Sequence, residues 1–479
     1  MSSLPIAVSS FDGIPDDDNP FLEHYVPWCV QSPLLVHTSL YISAQPLAER
    51  RLLDETTTMR VKIQAIRVLN EYLRSTDTAI CTSDEAMGAV VQFISIEMYY
   101  GTPAVMQAHL HGLCQMVLLR SNFPRSRVGT LVTKAALIAD ALIAISLEAK
   151  PILQPTAAFP FAYDEPPPSA FHLSYSSPLL PPHMPFATCV ATLGLHPATA
   201  WLLDEMAFLT HAVLSLPSSE NANAKSLKRE LAKLRATAAW TLARIEKLPA
   251  DLPDADRVAV RSRGDAEDAD ADSSKSQRRG TTPTQDVSDI RSPKPHSLLP
   301  RYPRFSSSSL SSSLSSSSDC PLSPPQHSPP SAGAQQALPP PAGPFYTAVR
   351  RTACLYTRAI LEHRPFSEVC SDADALAILA AAWRVPLDRW RGVLGIFVFI
   401  MVAIVPTLHQ RCDKPSGDGG GIYSHIHTRF AKSILQIGFM NVALVDWPTS
   451  REMMRRSLQL QRWLREGSRA AVPCSTSRL

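Results

Sequence analysis

The sequence predicts an all-α fold, a multi-helix bundle interrupted by a long disordered Ser/Pro-rich insertion. Apolar residues recur three and four positions apart over most of the chain, which is the period of a helix with one buried face. No run of alternating apolar and polar residues bounded by turn signals indicates a strand. Between Asp251 and Pro344 an acidic run, a serine run and a proline tract follow one another with few clustered apolar residues. Such a composition cannot offset the entropy of ordering.

Composition and periodicity divide the chain into five segments. They are a flexible N-terminus at 1–18, a first helical part at 19–248, the disordered insertion at 249–343, a second helical part of the same domain at 344–467, and a flexible tail at 468–479. Prolines crowd residues 151–185, so that piece is expected to be an irregular connection over the surface.

Three consecutive helices are predicted between residues 82 and 145. Thr82 is a candidate N-cap, and the helix after it ends at Gly101. Thr102 and Pro103 begin the next helix, GTPAVMQAHLHGLCQMVLLR, as its cap and first turn. A third apolar stripe runs from Val128 to Ile145. The short connections predict antiparallel packing of the three helices.

Two later segments each have two interpretations. The uncharged run VLGIFVFIMVAIV at 393–405 spans about 20 Å as a helix, less than the roughly 30 Å of a hydrocarbon core, so a buried helix is favoured over a membrane span. Residues 224–248 carry a stripe at alternating four and three spacing, formed by Leu227, Leu231, Leu234, Ala238, Thr241, Ile245 and Leu248. We expect an ordinary core face there rather than a dimer seam.

Charge and cysteine content limit the class of protein. The 46 basic and 43 acidic residues give a net charge of +3, too small for bulk attraction to nucleic acid or membranes. The nine cysteines are dispersed, without a CxxC pair, and the start of the chain lacks the pattern of a secretory signal. Both features predict an intracellular, reducing location.

Candidate site residues are few. His109 and His111 are two apart on one helix, so they point about 200° away from each other and cannot share a metal ion. Gly112 is expected to admit a neighbouring helix closely. Asp140 lies in the apolar run ALIADALIA, where a hydrogen bond to a neighbouring helix end is favoured over catalysis.

A possible metal group is formed by His409, Cys412, His425 and His427. All four are legitimate zinc ligands, but HxxC and HxH lack the paired spacing of structural zinc sites. A polar rim beside a glycine-rich loop is the favoured interpretation. We therefore assign no metal, no cofactor and no catalytic residue, since GxSxG, HExxH, GxxxxGK[ST] and GxGxxG motifs are missing too.

Basic residues cluster on two amphipathic helices, where a solvated face is the favoured interpretation. One cluster consists of Lys225, Lys228, Arg229, Lys233 and Arg235, and the other of Arg451, Arg455, Arg456, Arg462 and Arg465.

Several stretches together resemble the fungal-specific transcription factor domain, the helical regulatory region that usually accompanies a six-cysteine zinc cluster. They are NPFLEHYVPWCVQSPLLVHTSLYISA at 19–44, SIEMYYGTPAVMQAHLHGLCQMVLLR at 95–120, and NVALVDWPTSREMMRRSLQLQRWLR near the C-terminus. The positions similar to the family's signature are Glu97, Gly101, His109, Gly112, Leu113, Met116, Val117, Asp140, Trp447 and Trp463.

The resemblance implies a nuclear transcription regulator that is not an enzyme. It implies protein partners in transcription, with homodimer and heterodimer both open, and no membrane. The chain departs from the family pattern because Cys29 is the one cysteine of its first eighty residues. Direct DNA binding is therefore not expected without a zinc cluster.

Two alternatives stay open. One is a helical small-molecule-binding protein or metal-dependent enzyme that uses Asp140 or the His409, Cys412, His425 and His427 group. The other is a truncated product of a zinc-cluster DNA-binding factor.

Overall fold

The computed structural model describes residues 21–120, 127–153, 172–181, 183–216, 224–249, 343–413 and 421–471. These ranges form helices and connections without a strand, which confirms the all-α prediction for them. The chain divides into a compact unit of residues 1–260 and 340–479 and a second unit of residues 261–339. All described residues belong to the first unit. The predicted flexible N-terminus, the insertion and the tail lie outside the described residues, except at their edges.

Sixteen α-helices are described and numbered in chain order. The first part contains α1 Val26–Gln31, α2 Pro33–Glu49, α3 Glu55–Leu73, α4 Thr78–Cys81, α5 Asp84–Tyr100, α6 Pro103–Leu119, α7 Arg127–Ser146, α8 Pro197–Leu214 and α9 Ala224–Lys247. The second part contains α10 Pro344–Glu362, α11 Phe366–Val369, α12 Asp372–Trp383, α13 Leu387–Arg391, α14 Leu394–Asp413, α15 Gly421–Val445 and α16 Trp447–Ala471. Short turns are π-helical at Phe21–Tyr25 and 3₁₀ at Leu173–Tyr175 and Phe186–Cys189.

Side-chain caps explain where several helices begin. The Thr102 hydroxyl accepts the N–H of Val105 at 3.4 Å, as predicted for α6. The cap of α5 is Ser83, whose hydroxyl accepts the N–H of Ala86 at 3.2 Å. The predicted start at Thr82 was wrong by one residue, because the Thr82 hydroxyl donates backwards to the carbonyl of Thr78 at 2.6 Å and ends α4.

The core is built around α7 and α14. Every side chain from Val393 to Val405 is buried, so the buried-helix interpretation of this run is confirmed. Helix α14 packs against α15, α12, α11 and α7. One described helix segment, Gly129–Ser146 in α7, is long and apolar enough to cross a membrane, but 89% of it is buried inside the protein. A core helix passes the same test.

Two packing predictions meet different outcomes. Helix α5 packs against both α6 and α7, whereas α6 and α7 share little contact, so the three helices are not mutual neighbours. Helix α9 buries Leu234, Ala238 and Ile245 against α10 and α8. Its apolar stripe is therefore a core face, as favoured.

The proline-rich connection is not confined to the surface. Among its described residues, Tyr175, Leu179 and Leu180 are buried and the 3₁₀ turn packs against α14. The backbone comes so close that a Cβ on Gly395 would lie 2.5 Å from the carbonyl oxygen of Ser176. The surface prediction was wrong for this part, because its large apolar side chains can fill gaps in the core without a helix.

Alanine substitution should change the stability of the protein in opposite directions at two signature glycines. A Cβ at Gly101 would lie 2.7 Å from the carbonyl oxygen of Glu97, so we expect Gly101→Ala to lower the free energy of unfolding by about 1–3 kcal/mol. A Cβ at Gly112, which is exposed, meets nothing within 4 Å. Gly112→Ala should raise the stability by about 0.5–1 kcal/mol through helix propensity. Urea unfolding of the full chain measures both, and the same sign for both variants would contradict this account.

Candidate functional site

A cavity of about 660 Å³ lies between α7, the chain that follows it, and α16. Its apolar lining consists of Leu137, Ala141, Ala149, Pro151, Leu153, Trp447, Met454 and Leu458. Helix α7 comes from the first helical part of the sequence and α16 from the second. The cavity, called the α7–α16 pocket below, therefore exists only when both parts are folded together.

One face of α16 forms a long side of the pocket. Its lining residues recur at four and three spacing, at Trp447, Arg451, Met454, Leu458, Arg462 and Arg465. That period keeps them on one face, and the 18 positions from the first to the last correspond to about 27 Å of helix. The pocket is thus elongated.

The pocket carries an excess of positive charge. Its basic lining residues are Lys150, Arg451, Arg455, Arg462 and Arg465, and its acidic ones are Asp140, Glu452 and Glu466. An apolar floor with a basic rim suits a ligand that has an apolar body and an anionic group.

Two of the arginines have acidic partners within the rim. Arg455 donates to Glu452 at 2.7 Å through Nε, and Arg462 donates to Glu466 at 3.0 Å. Glu452 also accepts from Arg456 at 3.0 Å, so one carboxylate serves two guanidinium groups. These pairs orient the arginines along the groove and leave it cationic.

Asp140 holds the chain that closes one end of the pocket. Its buried carboxylate accepts the N–H of Ile152 at 2.9 Å and of Leu153 at 2.8 Å. The hydrogen-bonding interpretation is confirmed, but the partner is the segment after its own helix rather than a neighbouring helix end. Burial, opposed by these two bonds, raises the pKa of Asp140 from 3.8 to about 6.

A second carboxylate, which belongs to this segment, fastens it to α11 by hydrogen bonds. Glu148, whose backbone is left-handed with φ of 46°, accepts the N–H of Phe366 at 2.8 Å and the hydroxyl of Ser367. Burial raises the pKa of Glu148. Residues 147–153 are thus fixed between α7 and α11, which gives the pocket a defined wall.

Trp447 begins α16 at the pocket's apolar end. The ammonium of Lys134 lies 5.6 Å from the centroid of its indole ring. The indole N–H is buried and has no acceptor among the described residues. A buried donor without an acceptor is costly, so this N–H is an unsatisfied polar group beside the pocket.

The other signature residues of the first part form a separate packing cluster. The buried Glu97 carboxylate accepts from Lys62 at 2.9 Å. The His109 ring stacks on Phe93 with centroids 5.8 Å apart, and burial lowers its pKa. Leu113, Met116 and Val117 are buried. The prediction for Gly112 was wrong, because this glycine is exposed and no neighbouring helix approaches it.

Trp463 lies away from this cluster and packs on the end of α10. Its ring stacks on His363 with centroids 3.8 Å apart, and a ring nitrogen of His363 lies 2.8 Å from the Trp463 carbonyl oxygen. The contact joins the left-handed end of α10 to α16.

The histidine and cysteine group is described only in part. His409 is buried, which lowers its pKa to about 3, and neither ring nitrogen has a partner among the described residues. His427 is exposed, and the side chains of Cys412 and His425 lie outside the described residues. Within the described part of the chain no three such side chains gather around a point. The four-residue hypothesis is therefore not tested.

The arginines of α16 are the site residues that sequence reasoning missed. Arg451, Arg455 and Arg462 are exposed as predicted, and together with Arg465 they also line the pocket. Arg456 contradicts the solvated-face prediction, because it is buried and donates to the Leu179 carbonyl at 3.3 Å. The available signal was their register, since Arg451, Arg462 and Arg465 share a face with Trp447. The basic cluster of α9 is exposed as predicted.

A family model described as the fungal specific transcription factor domain matches residues 6–156. The predicted resemblance is thereby confirmed over roughly the first third of the chain, which includes α1 to α7 and Asp140. Trp447 and Trp463 fall beyond the match, so their correspondence stays a prediction. No curated protein and no solved structure matches the chain.

Ionisation of Asp140 should make stability fall as pH rises. The folded protein keeps this proton up to a pKa of about 6, whereas the unfolded chain loses it near 3.8. We therefore compare the unfolding free energies of the wild type and Asp140→Asn at each pH. The wild-type value minus the variant value should be about 2 kcal/mol smaller at pH 7 than at pH 4. Urea titrations at both pH values measure it.

Asp204→Asn is the matched control, because the Asp204 carboxylate also accepts two backbone N–H groups, from Phe186 and Ala187. An unchanged difference between wild type and Asp140→Asn across this pH range would contradict the prediction.

Proposed function

Because residues 6–156 carry a fungal specific transcription factor domain, we propose that this transcription regulator works in the nucleus as an effector-responsive protein. Its effector binds in the α7–α16 pocket, and its output is carried by protein partners. The observation that carries the proposal is that the matched domain supplies one wall of a pocket completed by α16.

The pocket's chemistry supports an organic anion as the effector. Its volume lies within the range of small-molecule sites, and its floor is apolar. Five basic against three acidic lining residues favour a carboxylate or a similar anionic group.

Occupancy of this pocket would change how the two helical parts hold together. A ligand that touches α7 and α16 binds best to the arrangement in which both helices contact it. Its difference in affinity between this arrangement and any other sets how far it shifts the population. Helix α16 also packs on α8 and α15, so the change extends beyond the pocket.

Binding rather than catalysis is supported at Asp140. Both of its carboxylate oxygens are engaged by backbone N–H groups of the segment they hold. A group so occupied positions the chain and is poorly placed to act on a substrate.

Anion binding can be tested by isothermal titration of the full chain with decanoate, decan-1-ol and decyltrimethylammonium. Decanoate should bind at least about tenfold more tightly than the alcohol, because a charge-assisted hydrogen bond is worth about 1.5–3 kcal/mol. Arg465→Glu should remove that advantage and leave decanol binding nearly unchanged. Arg229→Glu, on the exposed cluster of α9, is the matched control. Equal affinity for the three probes would contradict the anion proposal.

Regulation can be tested with the chain fused to a heterologous DNA-binding domain over a reporter gene in fungal cells. We expect nuclear accumulation and a change of at least severalfold in reporter output. Arg465→Glu should alter the output, and Arg229→Glu should keep it. Reporter output that the wild-type fusion leaves at the level of the DNA-binding domain alone would overturn the transcriptional proposal, whatever the titration shows.

A further inference from the structure

Helix α3 exposes a stripe of apolar side chains. Met59 is 52% exposed, Ile63 is 59% exposed, Ile66 is 39% exposed and Leu73 is 40% exposed. Single exposed apolar side chains are ordinary on protein surfaces, but a contiguous row marks an interaction site. The opposite face of α3 is already used, since Thr58, Ala65 and Leu69 are buried.

The spacing of this stripe is that of a helix–helix seam. From Met59 the positions advance by four, three, four and three to Ile63, Ile66, Asn70 and Leu73. This places Ile63 and Asn70 at a positions and the other three at d positions of a heptad repeat. An asparagine at an a position fixes the register of a partner helix at some cost in stability. The α3 stripe, as we call these five residues, covers about 21 Å of helix.

A row of arginines borders the stripe on its solvent side. Arg60, Arg67 and Arg74 are exposed and lie seven residues apart, at the e positions of the same repeat. Glu71 pairs with Arg67 at 3.6 Å and compensates part of this charge. On the other side Lys62 binds Glu97 and Leu69 is buried, so the stripe lies between the core and the arginine row.

We propose that the α3 stripe docks an amphipathic helix of a separate protein that carries acidic residues beside its apolar seam. Flanking charges at e and g positions set the choice of partner in helix pairs, and the row of arginines selects glutamate or aspartate. The apolar seam supplies the affinity, as in other grooves that bind a helix by its i, i+3, i+4 and i+7 side chains.

Charge argues against a second copy of this chain as the occupant. In an antiparallel pair the row of Arg60, Arg67 and Arg74 would face itself, and in a parallel pair Arg67 would face Lys62 of the other copy. Like charges so placed oppose association. The chain's own acidic run at 265–272, DAEDADAD, has alanine as its only apolar residue and offers nothing to fill the stripe.

The test uses two synthetic helices of about three heptads, with leucine at the a and d positions and asparagine at one a position. One synthetic helix carries glutamate at its e and g positions, and the other carries lysine there. Fluorescence anisotropy with the full chain should show the glutamate helix binding at least about tenfold more tightly. Arg60→Glu with Arg67→Glu should reverse that preference.

A double variant distinguishes binding at the α3 stripe from nonspecific hydrophobic binding. Met59→Ser with Ile63→Ser should weaken the glutamate helix by at least about tenfold. Leu118→Ser with Leu119→Ser, which removes two exposed leucines of α6, should leave binding unchanged. Circular dichroism melting verifies that each variant is folded.

Three results would overturn the proposal. The first is equal binding of the two synthetic helices, and the second is indifference of binding to the Met59 and Ile63 variant. The third is light scattering that shows a wild-type dimer abolished by that same variant, which would assign the α3 stripe to a second copy.

Discussion

Burial of α7 and α14 is the constraint on which the rest of the structure depends. A helix that is apolar on all sides has no stable place in water, so it must be surrounded. Helix α7 is enclosed by α5 from the first part of the sequence and by α14, α15 and α16 from the second. Two buried bonds fix this arrangement, from Lys134 to the Ala443 carbonyl at 3.3 Å and from Gln461 to the Ile145 carbonyl at 3.2 Å. The two helical parts therefore need each other.

That mutual requirement also creates the α7–α16 pocket. Helix α7 ends at Ser146, and two carboxylates then hold the chain that leaves it. Asp140 accepts backbone N–H groups of this segment, whereas Glu148, which belongs to the segment, accepts the backbone N–H of Phe366 in α11. Each carboxylate is buried, and its hydrogen bonds offset part of the desolvation that raises its pKa. The groove left beside α16 is consequently preformed, which spares a ligand the cost of ordering it.

Sequence patterns could predict the helices but not the site. Apolar periodicity identified α5 to α7 and α9, and Thr102 with Pro103 marked the start of α6, because caps and stripes are local properties. The pocket joins residues near 140 to residues near 460, and local patterns do not say which distant segments meet. The same limit explains the wrong prediction for Gly112, because a glycine in a helix does not reveal whether another helix packs against it. It explains the α3 stripe too, since periodicity does not reveal which apolar face stays uncovered.

The α7–α16 pocket and the α3 stripe are connected through packed helices rather than by direct contact. Helix α3 packs on α2 and α5, and α5 packs on α7, whose other neighbours include α16. Packed cores transmit a change only when an element has two discrete arrangements that both sites bias. Helix α7 lines the pocket directly and reaches α3 only through α5. Effector binding and partner docking therefore act as separate inputs unless α7 itself shifts between two packings. A ligand without preference for one packing would leave the α3 stripe unaffected however tightly it bound.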